Sequence, residues 1–447
     1  MLSQKTHQQI YFWALAYLCF SVPLMSKWMP FTIGVAALAL NYLLEGNFLS
    51  KLKTAFAEPW ALLLIIFYIL HLLSVSYSTN VSEANRDIFL KLPLFILPLV
   101  LPTITISREQ KNRLFLTWIL VTTVAAVIML VQAYVNVQET ASSKYWFYAA
   151  LAGGKHPAYF SMYCVTAIVL LFQDKFEKWK VLPFMLLLVV VFLLSSRMQI
   201  LVLLVIAFAK AWQVFFQNKK ARPIVIVLLI GFMSIFVSET IQSKIRLNAA
   251  KKEIAQLFSQ DFKISIRGAI WNFGLQTIKE SPWIGHGNGD EFQLLNQRIQ
   301  SKVQLKESDI DSLASQVLQD TAMMNSLYAT AQKEAWDEAD VHIRYAKWKL
   351  SDESSNLYDK FYKHHYNYHN QFLQSWAIAG ILCLLVLLAF FFIVIKKGIQ
   401  NRGFTIMSLA FLIAMSFMSE SMLERQYGVI YFALILPLIL LDTRKSA

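Results

Sequence analysis

Long apolar runs separated by short polar joints occupy most of this 447-residue chain. Trp60 to Leu73, Leu182 to Leu194 and Ile381 to Ile395 carry almost no charge. The runs are continuous rather than alternating, which predicts helices and not strands. A helix needs roughly 20 mostly apolar residues to cross the hydrocarbon, and in lipid only helices or closed barrels satisfy their own backbone. Spans then fall near 9–26, 28–45, 59–78, 87–106, 113–137, 157–174, 180–196, 197–214, 223–240, 371–395, 403–420 and 427–442. The expected fold is an all-α polytopic membrane protein of about twelve transmembrane helices. The fourth run is interrupted by Lys91, Pro93, Pro98 and Pro102, and only Ser195, Ser196 and Arg197 part the seventh from the eighth. The first run leads straight into a second, the pattern of a polytopic chain rather than of a cleaved leader.

One stretch breaks the pattern. Residues 242–370 are soluble in character and divide the chain into 1–241 with about nine spans, the loop itself, and 371–447 with about three. Ile245 to Phe258 is amphipathic, and Ile266, Ile270, Phe273 and Ile278 recur near helical spacing until Ser281-Pro282 stops the pattern. Gly285-His-Gly-Asn-Gly-Asp290 predicts a turn. Glu307 to Leu350 is charged and rich in Ala, Gln and Leu, which predicts surface helices. The loop is therefore expected to be one large helical cap.

Composition agrees with a membrane class: 57% of residues are hydrophobic and 15% charged, against about 25% charged in soluble domains. The placement of charge predicts orientation. Lys5, Lys51, Lys53, Arg108, Lys111, Arg113, Lys175, Lys178, Lys180, Lys210, Lys219, Lys220, Arg222, Lys396, Lys397, Arg402, Arg444 and Lys445 fall on one side. The other side holds Lys27, Arg86, Lys144, Lys155, Arg197 and Arg425 outside the loop. That bias of roughly three to one puts both termini in the cytoplasm and the loop in the periplasm. Much of the net charge of +13 is then anchoring charge facing anionic lipid. No arginine-rich arm or basic helix with interleaved aromatics points to nucleic acid. Cys19, Cys164 and Cys383 sit inside apolar runs as small hydrophobes.

The candidate chemistry gathers on the outer side. Arg197 stands at the mouth of an apolar helix, where a charge either serves a function or snorkels to fix helix depth. Arg267 lies just before Trp271 on the loop's short helix. It is either a surface arginine or a second donor to a phosphate, and the planar guanidinium suits that ligand. His364, His365 and His369 cluster beside Asn370. His365 and His369 have helical i,i+4 spacing without a matching carboxylate, so a general base is favoured over a metal site, while Phe361, Tyr362, Tyr366, Tyr368 and Phe372 around them also fit an interfacial aromatic belt. His156 precedes Pro157 at the start of the sixth span, as a cap-region group or a site residue. Gly285-x-Gly287-x-Gly289 offers an amide nest for an anion. Glu420, Glu424 and Arg425 crowd a short outer hairpin, to line the same cavity or to pair with one another.

Four segments together resemble the O-antigen ligase family, which also holds O-antigen polymerases and protein O-oligosaccharyltransferases. They are Leu194-Ser-Ser-Arg-Met-Gln-Ile-Leu201; Arg267-Gly-Ala-Ile-Trp271 with Ser281-Pro-Trp-Ile-Gly-His-Gly-Asn-Gly-Asp290; His369-Asn-Gln-Phe-Leu-Gln374 with Ala379-Gly-Ile-Leu382; and Glu424-Arg-Gln-Tyr-Gly428. The resemblance implies an inner-membrane enzyme that moves a glycan from undecaprenyl diphosphate to lipid A-core, to another glycan or to protein. It implies no metal and no cofactor. It assigns the catalytic roles to His369, Arg267 and Arg197; beside them His156, Trp271, Asn370, Glu424 and Arg425 are expected to meet the substrate. A ligase, a polymerase of the same family and a polytopic transporter remain as readings. Scarce charge within the spans, Lys91 apart, counts against the last.

Overall fold

The computed structural model describes residues 2–24, 29–173, 179–217, 266–303, 366–401 and 403–441. The ninth expected span, the amphipathic 245–258 stretch, Glu307 to Leu350, His364 and His365 lie outside the described residues. Among the described residues every regular element is a helix. In chain order these are α1 (Gln4–Leu24), α2 (Met29–Glu45), α3 (Phe48–Ala57), α4 (Pro59–Ser74), α5 (Val81–Lys91), α6 (Pro93–Val100), α7 (Arg108–Thr140), α8 (Tyr148–Leu151), α9 (Pro157–Leu171), α10 (Val181–Leu193) and α11 (Arg197–Gln217). The loop contributes α12 (Ile266–Glu280) and α13 (Asp290–Val303), and the chain closes with α14 (Gln371–Gln400), α15 (Phe404–Ser419) and α16 (Gln426–Leu440).

Among the described residues four helical stretches are long and apolar enough to cross a membrane: Pro59–Tyr77, Arg108–Thr140, Arg197–Gln217 and Gln371–Gln400. Shorter apolar helices fill the spaces between them, among them Pro157–Leu171 and Gln426–Leu440. Nearly every side chain of α9 is buried, as expected of a helix apolar on all faces. It packs against α7, α10, α11 and α15 at the centre of the bundle. Two of its polar groups find partners inside: Trp118 Nε1 donates to Tyr163 O at 3.3 Å, and Thr166 Oγ1 meets the Tyr431 hydroxyl at 2.6 Å.

The fourth expected span is not one helix. Lys91 ends α5, Pro93 starts α6, and a 3-10 turn over Leu101–Thr103 ends the segment. Proline at Pro93 has no amide hydrogen to continue α5, so the chain restarts there. The Lys91 side chain is completely buried, paired with Asp87 one turn back and with Glu424 Oε1 at 3.0 Å. A charge inside a membrane bundle calls for such partners.

A second break builds the platform for the site. α14 is interrupted at Ala379 and Gly380, where Gly380 adopts φ 76° and ψ −175°. A Cβ on Gly380 would lie 1.9 Å from the carbonyl oxygen of Trp283, so only glycine fits. Into this break docks the turn from Ser281 to Gly289. His286 N donates to Ala377 O at 2.8 Å, Gly287 N to Ile378 O at 3.0 Å, and Ile381 N to Pro282 O at 2.9 Å. Two carbonyls and one amide at the helix break are thereby satisfied by the turn. Asp290 then accepts from the amides of Thr79 at 2.6 Å and Asn80 at 2.8 Å, tying the turn to the start of α5. Above it the cap has its own small core of Ile270, Ile278, Leu295, Ile299, Tyr368 and Ala377.

Candidate functional site

The site forms where three parts of the chain meet: the start of α12, the strap before α14 and the hairpin between α15 and α16. The hub is Glu420, the residue that ends α15. Its Oε1 accepts from Arg267 Nη2 at 2.8 Å, and its Oε2 lies 3.1 Å from His369 Nδ1. The carboxylate side chain is 12% exposed, His369 27% and Arg267 42%, so the cluster opens toward the arginine.

Local structure explains each placement. His369 sits at φ 44°, a left-handed conformation uncommon for a residue with a Cβ. Its amide donates to Asn367 Oδ1 at 3.0 Å, which holds that turn. Asn370 then caps α14, its Oδ1 accepting from Phe372 N at 3.0 Å and Leu373 N at 3.1 Å. That cap occupies the carbonyl of Asn370, expected on sequence grounds to face substrate, and aims the strap so that His369 meets Glu420. Arg267 lies in the first turn of α12, and Trp271 on the same helix packs against the cap core. The indole Nε1 of Trp271 is buried and has no partner among the described residues.

The electrostatics follow from this geometry. Burial alone pushes the Glu420 carboxyl up, but the His369 hydrogen bond and the charges of Arg267 and His369 outweigh it and hold it below the ordinary carboxylate value. An ionised carboxylate only accepts, so Nδ1 of His369 carries the hydrogen, and in the neutral imidazole the lone pair is on Nε2. That is the tautomer a general base requires. His156, just ahead of α9, feels the same group of charges. Burial, then Arg425, His369 and Arg267, depress its pKa against the opposing pull of Glu420. Its Nδ1 is buried without a partner among the described residues. His156 lines a cavity of ≈ 30 Å³ together with Lys155, Tyr159, Tyr163 and Tyr427, room for a water but not for a sugar.

The expected residues divide. Arg267 and His369 are brought onto one carboxylate, with His156 and Arg425 close in the same field. Arg197 opens α11 just after Ser195, which sits at φ 49°. Two positions on, Gln199 donates to Ser416 Oγ at 3.0 Å, one turn before Glu420. Arg197 is thus at the same end of the bundle, and no direct contact joins it to Glu420 among those described. Glu424 is turned away from the cluster and pairs with the buried Lys91. The Gly285–Gly289 amides do not form an open anion nest: those of His286 and Gly287 serve α14, and that of Gly289 donates to Glu291 Oε2 at 2.7 Å. Among the described residues no group of three metal-ligating side chains converges.

Sequence reasoning noted Glu420 only as one charge in a dense hairpin. The signal for more was there: a carboxylate placed immediately after an apolar helix needs cations close by. No sequence pattern singles out Glu291, which is buried and accepts from Gln374 Nε2 at 2.9 Å.

A family model described as O-Antigen ligase matches residues 182–323. The matched stretch holds Arg197, Arg267 and the Ser281–Asp290 turn and ends before His369. No curated protein matches the chain.

Proposed function

We propose, on the premise that this chain belongs to the O-antigen ligase family, that it transfers a glycan from undecaprenyl diphosphate to an acceptor hydroxyl at the outer face of the inner membrane. The observation that carries the reading is the convergence of Arg267 and His369 on Glu420 from opposite ends of the extramembrane loop. The diphosphate of the donor lies against the Arg267 guanidinium, with Arg197 as a second donor of charge. Nε2 of His369 accepts the proton of the acceptor hydroxyl. That oxygen bonds to the anomeric carbon as the bond to the diphosphate oxygen breaks, which inverts the configuration. The arginines stabilise the negative charge that develops on the leaving diphosphate. The acceptor in this reading is lipid A-core or a similar surface glycolipid.

Glycan profiling of a deletion strain tests it. Loss of long chains from lipid A-core with accumulation of full-length lipid-linked glycan supports a ligase. Accumulation of single repeat units identifies a polymerase instead. Transport by purified protein in vesicles, without transfer, would replace both with a transporter. Orientation is tested separately: a reporter fused near Asn325 should be active only in the periplasm and one fused after Arg444 only in the cytoplasm.

A further inference from the structure

We infer that Glu420 is a charge switch: it holds Arg267 while no donor is bound, yields the guanidinium to the donor diphosphate, and then serves His369 alone. The inference rests on the reading above, in which Arg267 meets the diphosphate. Three features of the geometry carry it.

First, one carboxylate serves both groups, through different oxygens: Oε1 to Arg267 and Oε2 to His369. Whatever draws Arg267 away changes the charge that His369 feels. Second, the two ends of the pair differ in access. Glu420 is fixed, since its own amide donates to Ser416 O at 2.9 Å and its side chain is 12% exposed. Arg267 is 42% exposed, on a helix of a different segment. An arriving anion therefore reaches the cation, not the carboxylate. Third, the pair uses one nitrogen of the guanidinium, a single contact and not the bidentate fork that a phosphate offers.

The surroundings of Glu420 allow the exchange. Arg267 faces it from α12, His369 from the strap before α14, and His156 from the segment before α9. Tyr159 of α9 and Tyr427 and Arg425 of the hairpin side complete the field. When Arg267 turns to the diphosphate, His369 remains as the hydrogen-bonded partner. The carboxylate then stabilises the imidazolium that forms as the acceptor loses its proton, as a buried acid does for a catalytic histidine. Glu420 is thus a positioning residue, and the base reaches full strength only once the donor is in place. Such coupling keeps the base from activating a hydroxyl before there is a sugar to transfer.

The switch predicts opposite signs for binding and turnover. Glu420→Gln removes the competing charge and should bind inorganic pyrophosphate about 2–5-fold more tightly than the wild type, the scale of one partly exposed ion pair. The same variant should transfer glycan about 10²-fold more slowly or worse, because the amide no longer stabilises the imidazolium. The experiment is calorimetric titration of the purified full chain with pyrophosphate, alongside complementation of a deletion strain at matched protein level. In an Arg267→Ala background the tightening should vanish. If Glu420→Gln does not fold, Glu420→Asp reads the same effect: it loosens the Arg267 contact yet keeps the charge, so binding tightens less and some transfer survives. Equal or weaker pyrophosphate binding by a folded Glu420→Gln overturns the switch and leaves the transferase reading standing. Tightening that persists without Arg267 also overturns it. Wild-type affinity in Arg267→Ala alone removes Arg267 from the diphosphate, and the switch falls with that reading.

Discussion

Glu420 and Glu424 stand on the same short hairpin, each paired with a cation from a distant segment, and the two pairs live in different surroundings. The partner of Glu424 is Lys91, whose side chain has no exposure at all and which also holds Asp87. The partner of Glu420 is Arg267, 42% exposed, with a histidine as third member. A cation sealed among helices has no ligand to meet, so its pair joins the broken α5–α6 segment to the hairpin. A cation that can leave its carboxylate has chemistry open to it. The charges themselves look alike in the sequence, and access separates their roles.

The sharpest way to break the comparison is at His369. Replacing it with alanine should cut glycan transfer by about 10²–10⁴-fold, the usual worth of a general base, with the unfolding temperature of the purified protein unchanged. Turnover near the wild-type rate would move the base elsewhere. On the sealed side the expected loss is stability, not rate. Lys91→Met leaves Asp87 and Glu424 without their shared cation, and breaking a buried pair in this way costs about 3–5 kcal/mol. Steady-state protein level and thermal unfolding should report that loss, and any remaining folded protein should transfer at close to the normal rate. A stable Lys91→Met protein with no activity would mean that the sealed cluster takes part in the reaction.

Arg197 can be assigned to one side or the other by a conservative change. Lysine keeps the charge but loses the planar fork. Should Arg197 hold a phosphate, Arg197→Lys loses much of the ~2.7–4 kcal/mol that one charge-stabilising donor supplies, read as turnover of the purified variant. Full activity would leave it as a residue that sets helix depth.

The smallest effect is in pH. Burial first, then the nearby charges of Glu424 and Asp87, push Glu291 from 4.5 up to about 8, against the pull of Lys91 and the Gly289 amide. Between those two values the folded protein keeps a proton that the unfolded chain has lost, so stability is full below the lower value and falls as pH rises toward the upper one. Glu291→Gln should flatten that slope in thermal unfolding scans from pH 5 to 8. An unchanged slope would mean that Glu291 is ionised throughout.

The helices were legible because length and continuous apolarity report directly on lipid, and Gln371–Gln400 and Arg108–Thr140 show it. The break at Pro93 was visible as a disturbed run, but its purpose was not, since Asp87 and Glu424 meet Lys91 only through tertiary packing. The same limit applies to the site. His369 and Arg267 stood out by residue type and position at the membrane edge. Their joint partner Glu420 comes from a third segment, and no local pattern relates the three. The sequence predicts the glycine turn but not its use: an amide nest and a plug for a helix break have the same glycines, and only the carbonyls of Ala377 and Ile378 tell them apart.

That plug has a consequence for the order in which the protein can be made. The chain emerges from its N-terminus, so Arg267 and the Ser281–Gly289 turn are synthesised well before the segments that complete them. The turn's amides at His286 and Gly287 await Ala377 and Ile378, and Arg267 awaits Glu420, 153 residues further on. Nascent chains that lack α15 hold the cap without its anchor in the hairpin. Insertion of α15 is therefore also the step that assembles the cluster, and a chain truncated within α15 would hold Arg267 and His369 without the carboxylate that joins them.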